Sequence, residues 1–528
     1  MRNFKSVLLL LPLSLLATTL AGCNNKKNVR VIRVLNCEDY IYEYEEGDEE
    51  YAVEGENYFK ERMMDQFVKY WAKTHNEEKI DYVYDTFDTN ETMFNELKTG
   101  KTTYDVIVPS DYMIQKLITN GMLHKISPEY QEGGEKNVWT NISGYLKDQF
   151  DNITADYNEE SYKLSDYAVP YMWGTVGLMY SPKYYMENNK DLSIDDVHAL
   201  FEDWDNLYVD DNIIGSYSIK DSVRDTYAVS LVHTYRDDID GTYNKETGVT
   251  DTTKLKEIFN RCSEEEMGEV KTDMLELKKH AFGFECDSGK TDMVDEKIGA
   301  NMCWSGDATW AITEARDDDP KENLDLYYSI PTKNKGKMSA SNIWFDGLCM
   351  PKNTDHEDNL TDEEKAQYEL AEEFIRFMSM PEIAVQNCYC VGYTPGVAGD
   401  AILDYMKDCY ESDSEDAVPY DLTYFFDYES YKNGVSTVVL SVDPDMAKRE
   451  LAAQYPEQGI LERLAVMRDF GPEANARLLD MWEQVRTNNL PIWAIIILVV
   501  EALGGIAFAA YLIRHKVSRK RFKKERHS

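Results

Sequence analysis

Three segments place an aromatic ring within a few residues of a glycine or a carboxylate: Tyr171-Met172-Trp173-Gly174-Thr175-Val176-Gly177, Trp304-Ser305-Gly306-Asp307 and Trp344-Phe345-Asp346. Carboxylates and ring faces together are what a pocket for an organic cation requires. The ammonium pairs with the acid, while its methylenes and charge lie on the ring faces. A second chemistry is open to some of these acids, since paired carboxylates such as Asp221 and Asp225 can do acid–base work. The sequence shows no nucleophile–base pairing, metal-ligand spacing or phosphate loop, so the expectation is a binding protein with no catalytic residues, metal site or cofactor.

The elements that must position these residues alternate between strand and helix. Residues 29–35 read as a short buried strand, 57–73 and 91–99 carry helical spacing, and 80–84 lie between them as another strand. Residues 104–108 form a strand that ends in Pro109-Ser110-Asp111-Tyr112. Such alternation predicts a parallel α/β sheet. Ligands in such sheets gather at the carboxyl ends of the strands, which puts Cys37–Tyr40 and Ser110–Tyr112 at one edge. Tyr167-Ala168-Val169-Pro170 starts a second series, which runs through the polar strand-to-helix turn Asp221-Ser222-Val223-Arg224-Asp225. Residues 302–304 end a further strand, followed by a helix from Ala308. Residues 344–350 return to an apolar strand, and 366–378 form an amphipathic helix. A carboxylate two residues after a tryptophan in an apolar strand needs a partner, which singles out Asp346. Tyr171, Trp173 and Trp310 read as packing aromatics, and Asp39 and Asp225 are open to a helix-capping role as well as a ligand-binding one.

The ends of the chain predict where it lives. Residues 1–23 have the form of a secretory leader: Arg2 and Lys5 give a basic start, an apolar stretch follows, and Leu20-Ala21-Gly22-Cys23 closes it. Small residues followed at once by Cys23 fit a bacterial lipoprotein signal, with Cys23 acylated. Residues 490–513 form a nearly continuous apolar run whose one charge is Glu501, long enough to cross a bilayer. The basic tail at 514–528 places that end in the cytoplasm and residues 24–489 outside. The net charge is −41; with the cationic leader and tail set aside, the external part is near −49. That charge argues against nucleic acid as a partner and attracts cations. The acidic run at 43–56 reads as a solvated insertion or, more sharply, a cation-collecting rim. Eight cysteines outside the leader are scattered, and their pairing is not readable from sequence.

Four motifs, in this order and spacing, resemble the polyamine-binding receptors of bacterial ABC importers, the spermidine/putrescine-binding family: Asn90-Glu91-Thr92-Met93, Tyr104-Asp105-Val106-Ile107-Val108-Pro109-Ser110, Val169-Pro170-Tyr171-Met172-Trp173-Gly174 and Gly392-Tyr393-Thr394-Pro395. The resemblance spans about residues 29–489. It implies a two-lobed periplasmic-binding-protein fold of the type II kind, whose cleft closes on the ligand without catalysis. It further implies a ligand set of Glu38, Asp39, Tyr40, Ser110 and Tyr112 from one lobe, with Asp225, Trp304 and Asp307 from the other. Trp344, Asp346 and Tyr393 complete the ring, with Asp346 as the primary amine partner and Trp304 and Trp344 sandwiching the aliphatic chain. Where the family usually has a tryptophan this chain has Cys37, and Glu38 stands where Ser or Thr is common, which implies a shifted chain-length or charge preference.

On this reading the partners are a polyamine, the membrane, and an ABC permease with its cytoplasmic ATPase. Lobe 1 is expected to comprise residues 24–165 and 336–395, and lobe 2 residues 166–335 and 396–489, with a hinge near 165–170 and 330–340. Closure of the two lobes is expected to give micromolar affinity or better, about −8 kcal/mol. A membrane-anchored sensor or receptor for another organic cation, and an amine-processing enzyme, stand as the alternatives.

Overall fold

The computed structural model describes residues 29–44, 60–286, 288–316, 324–354 and 356–487. The expected leader with Cys23, most of the acidic run, the apolar segment 490–513 and the basic tail lie outside those residues. Among the described residues, no helix is long and apolar enough to cross a membrane.

Eight strands build the main path of a 12-stranded sheet: β1 (Arg30–Cys37), β2 (Ile80–Phe87), β3 (Val106–Ile107), β4 (Ala168–Tyr180), β5 (Tyr217–Lys220), β6 (Gly283–Glu285), β7 (Ala300–Trp304) and β8 (Ser341–Pro351). Their order is β6-β5-β7-β4-β8-β3-β1-β2. The expected all-parallel arrangement holds only within each half. β1 runs parallel to β2 and β3, and β5 parallel to β6 and β7, but β4 is antiparallel to both β8 and β7. The reason is connectivity. β4 and β8 each run through both halves of the molecule, and their opposite directions carry the chain across and back.

Register shows how two lobes share these strands. Ala168–Thr175 of β4 pair with Ile343–Cys349 of β8, whereas Val176–Tyr180 pair with Ala300–Trp304 of β7. All 13 residues of β4 and all 11 of β8 are buried. Their sequences are accordingly apolar on both faces instead of alternating. A register shift lies between Phe345 and Gly347, leaving Tyr171 and Met172 of β4 across from the single residue Asp346. Such an irregularity re-aims a side chain locally.

Helices cover both faces. Helix Asn90–Thr99 is capped by Thr89, whose side chain accepts from the Thr92 amide, and ends on left-handed Gly100. Helix Asp362–Met378 opens with a reciprocal Thr361–Glu364 capping box, starting four residues before the expected 366. Helix Pro472–Arg486 packs on helix Glu264–His280 around Val270, Met274, Leu478 and Trp482, a second core distinct from the main one.

The lobes touch at several points. The Arg224 guanidinium carbon, packed 3.9 Å from the ring centre of Phe470 on its own side, reaches across to lie 4.9 Å from that of Tyr112. Nearby, the Gln115 side-chain amide donates to the Met467 carbonyl at 3.3 Å.

Candidate functional site

β1 and β3 deliver their carboxyl ends to one edge, and β5 and β7 deliver theirs to the facing edge. β8 and β4 run between them. At the end of β1, Asn36 and Tyr171 fix the turn: the Asn36 amide donates to the Tyr40 carbonyl at 3.1 Å and the Tyr171 hydroxyl donates to the same oxygen at 2.6 Å. Tyr171 is therefore a structural aromatic with a specific task. Its ring also meets that of Tyr40 edge-on at 5.4 Å.

The Tyr40 side chain, thus oriented, donates its hydroxyl to Asp346 Oδ2 at 2.8 Å. Ser110 bridges Asp346 through its backbone, and the Asn90 amide donates to the Ser110 hydroxyl at 3.0 Å. Asp346 is buried, and its other oxygen, Oδ1, has no hydrogen-bond partner. Burial pushes its pKa up to about 6, opposed by the polar Ser110 and Tyr40 side chains beside it and helped by the nearby charge of Asp225.

Asp225 sits in the first turn of helix Val223–Thr234, whose cap is Ser222. Its carboxylate accepts from the Trp304 indole N–H at 2.9 Å and from the Asn342 amide at 3.3 Å. These donors are neutral. Burial raises its pKa, which those bonds and the neighbouring Arg224 only partly offset. Asp111 is equally buried, but Oδ2 accepts the Phe345 amide at 3.0 Å and Oδ1 the Tyr112 amide, so it anchors backbone.

Asp307 differs from these. Lys220, the last residue of β5, places Nζ 2.7 Å from Asp307 Oδ2, and the Tyr393 hydroxyl donates to Oδ1 at 2.9 Å. Burial would raise the Asp307 pKa, but the charges of Lys220 and Lys290 and the two bonds bring it below the usual carboxylate range. Lys220 Nζ also lies 3.6 Å from Glu285 and 4.4 Å from the centre of the Trp304 ring.

Aromatic rings wall the cluster. Tyr393 lies 5.1 Å from Tyr40, edge-on, and 5.6 Å from Trp344. Two glycines make this packing possible. A Cβ on Gly306 would come within 2.1 Å of the Tyr393 ring, and one on Gly174 within 2.6 Å of the Trp344 indole. The glycines of the sequence motifs thus admit the rings.

The structure therefore gathers Tyr40, Ser110, Asp225, Trp304, Asp307, Trp344, Asp346 and Tyr393 around one buried centre. Tyr112 stands beside it under Arg224, its hydroxyl donating to Glu91 at 3.2 Å. Glu38 and Asp39 are exposed in the turn before Tyr40, outside that centre, with Asp39 in the left-handed region at φ 49°. Trp304 faces Lys220, and Trp344 faces Tyr393. Lys220, Glu285 and Asn342 escaped the sequence reading, although a lysine closing the apolar strand Tyr217-Ser218-Ile219-Lys220 was a visible signal. Among the described residues there is no cluster of His, Cys, Asp and Glu able to hold a metal ion.

The model of a family described as bacterial extracellular solute-binding protein matches residues 63–401. Among curated proteins, the putrescine-binding periplasmic protein SpuD of Pseudomonas aeruginosa is 25% identical over 409 residues, 75% of this chain and 86% of that protein. The spermidine/putrescine-binding periplasmic protein of Escherichia coli is 24% identical over 377 residues, 70% of this chain and 81% of its own. Among solved structures, a putative spermidine/putrescine ABC transporter protein of Listeria monocytogenes aligns with a TM-score of 0.53 at 19% identity, covering 87% of this chain and 99% of that one. That likeness identifies the architecture as a two-domain periplasmic-binding-protein fold.

Proposed function

The chain belongs to the bacterial extracellular solute-binding proteins, and from that premise we propose that it is the polyamine receptor of an ABC-type importer. It captures putrescine or spermidine between its lobes and delivers the ligand to a membrane permease. The observation that carries this reading is Asp346. A buried carboxylate with one oxygen that no protein group satisfies, beside a second acid held only by neutral donors, is suited to receiving a cation. An alkylammonium supplies three N–H donors for Asp346 and Asp225. Its methylenes fit against Trp304, Trp344, Tyr40 and Tyr393. The named relatives supply the ligand class.

Closure is a population shift between open and closed lobes, with contacts such as Arg224 on Tyr112 made only in the closed form. In this reading the hinge sits at residues 175–176 and 341–343, where β4 and β8 change pairing partners, in place of the 165–170 and 330–340 expected from sequence. Two anchors hold the receptor at the membrane in this reading: acylated Cys23 and the apolar span 490–513, with the basic tail inside. They raise its effective concentration at the permease.

Calorimetric titration of the full-length protein in detergent with putrescine, spermidine and spermine tests the proposal. Saturable binding of one of them is expected. Absence of heat with all three, in protein shown to be folded, would refute it.

A further inference from the structure

Lys220 is an ammonium group inside a site built for ammonium groups. It is 2% exposed, and its Nζ meets what an amine ligand's end would require: the Asp307 carboxylate at 2.7 Å, the Glu285 carboxylate at 3.6 Å and the Trp304 ring face at 4.4 Å. Each partner is itself fixed. Asp307 is held by the Tyr393 hydroxyl at 2.9 Å, and Glu285 accepts from the Asn301 amide at 3.1 Å and the Gly289 backbone at 2.9 Å. Trp304 is pinned by its indole bond to Asp225. The lysine therefore sits in a formed subsite, and its strand ends at the same sheet edge as that of Trp304.

The rest of the centre is the complement of this arrangement. Asp346 and Asp225 have only neutral hydrogen-bond donors, whereas Asp307 already has a full positive charge against it. A ligand entering between the lobes thus finds two acids in need of a cation and a third one occupied. Placing another ammonium beside Lys220 would bring like charges together in a buried space, which is strongly unfavourable.

We propose that Lys220 is a specificity-determining residue: a tethered ammonium that fills the Asp307 subsite and leaves a site for a diamine, excluding the additional charge of a triamine. This inference rests on the receptor reading above and narrows it to one ligand class. The lysine acts as the third ammonium, so removing its charge converts the site to triamine binding.

The test uses the full-length receptor in detergent, titrated with putrescine, which carries two ammonium groups, and spermidine, which carries three. The wild-type protein is expected to bind putrescine at least tenfold more tightly than spermidine. Lys220→Met is expected to shift that ratio at least tenfold toward spermidine. Should Lys220→Met fail to fold with two acids left without their cation, Lys220→Gln keeps a hydrogen-bond donor for Asp307 without the charge, and the same shift is expected. Spermidine binding to the wild type as tightly as putrescine overturns the inference while leaving the receptor reading intact. So does an unchanged ratio in a folded charge-removing variant. Failure of every amine to bind the wild type instead removes the receptor reading, and this inference with it.

Discussion

Replacing Asp346 with asparagine should stabilise the ligand-free protein at neutral pH and, in the same molecule, abolish tight capture. The Asp346 pKa is raised from an ordinary 3.8 to about 6, chiefly by burial. At 1.36 kcal/mol per unit, ionising it in the folded state costs about 3 kcal/mol relative to the unfolded chain. The sign follows from proton uptake. The folded state holds this proton more tightly than the unfolded chain does, so the group does no harm below about pH 4. Its penalty grows as the pH rises through 4 to 6 and is complete above 6. Asparagine keeps an oxygen for the Tyr40 hydroxyl and carries no charge to desolvate. Ligand-free Asp346→Asn should therefore gain up to about 3 kcal/mol at pH 7 and nothing at pH 4. With roughly 2 cal/mol/K of unfolding entropy per residue, that is about 3 °C in Tm for a fold of this size. Thermal unfolding at both pH values measures it. Amine affinity moves the other way. In the wild type it should fall about tenfold per unit below pH 6, because the ligand must displace the proton. In the variant it should drop by about 2–5 kcal/mol, the usual cost of removing one partner from a buried charge pair. A variant less stable than wild type at pH 7, or one that retains the wild-type pH profile of binding, would refute the assignment.

Gly306→Ala places a Cβ into the Tyr393 ring and must displace it from Asp307. Overpacking of this kind costs about 1–3 kcal/mol in stability, and amine affinity should fall with it, both readable by denaturation and calorimetry. Arg224→Met removes the cation from the faces of Tyr112 and Phe470. A desolvated cation–π contact is worth about 2 kcal/mol, so ligand affinity should fall about 30-fold and the ligand-free protein should scatter X-rays as a more open particle. Unchanged affinity and radius would show that Arg224 does not hold the lobes together.

Much of this site was legible because strand ends announce themselves. Pro109-Ser110-Asp111-Tyr112, Trp304-Ser305-Gly306-Asp307 and the carboxylate in Trp344-Phe345-Asp346 each follow or interrupt an apolar run, and the sheet brings all three together. The direction of β4 and β8 was not legible, because periodicity gives a strand's burial and not its orientation. The expectation of a parallel sheet failed at those two strands. Glu38 and Asp39 illustrate another limit. They sit next to Tyr40 in sequence, but the left-handed turn at Asp39 leaves them in solvent while Tyr40 is drawn inward by Asn36 and Tyr171. Lys220 closes an apolar strand, which the sequence shows, but the acids it faces come from distant segments that only the fold brings to it.

Four buried aspartates of this centre form a graded series. Asp111 is compensated by backbone amides, Asp307 by Lys220 and Tyr393, and Asp225 by two neutral donors. Only Asp346 keeps an oxygen bare. Four uncompensated carboxylates in one dry centre would repel one another and resist ionisation together. Satisfying Asp111 and Asp307 internally, and Asp225 with neutral donors alone, leaves the unmet demand for positive charge on Asp346 and Asp225. A second lysine aimed at Asp346 would remove its desolvation cost and make a more stable protein, but it would occupy the position the ligand's ammonium must take. In the proposed receptor, relief of the desolvation cost at Asp346 is one part of the free energy that a captured amine would release.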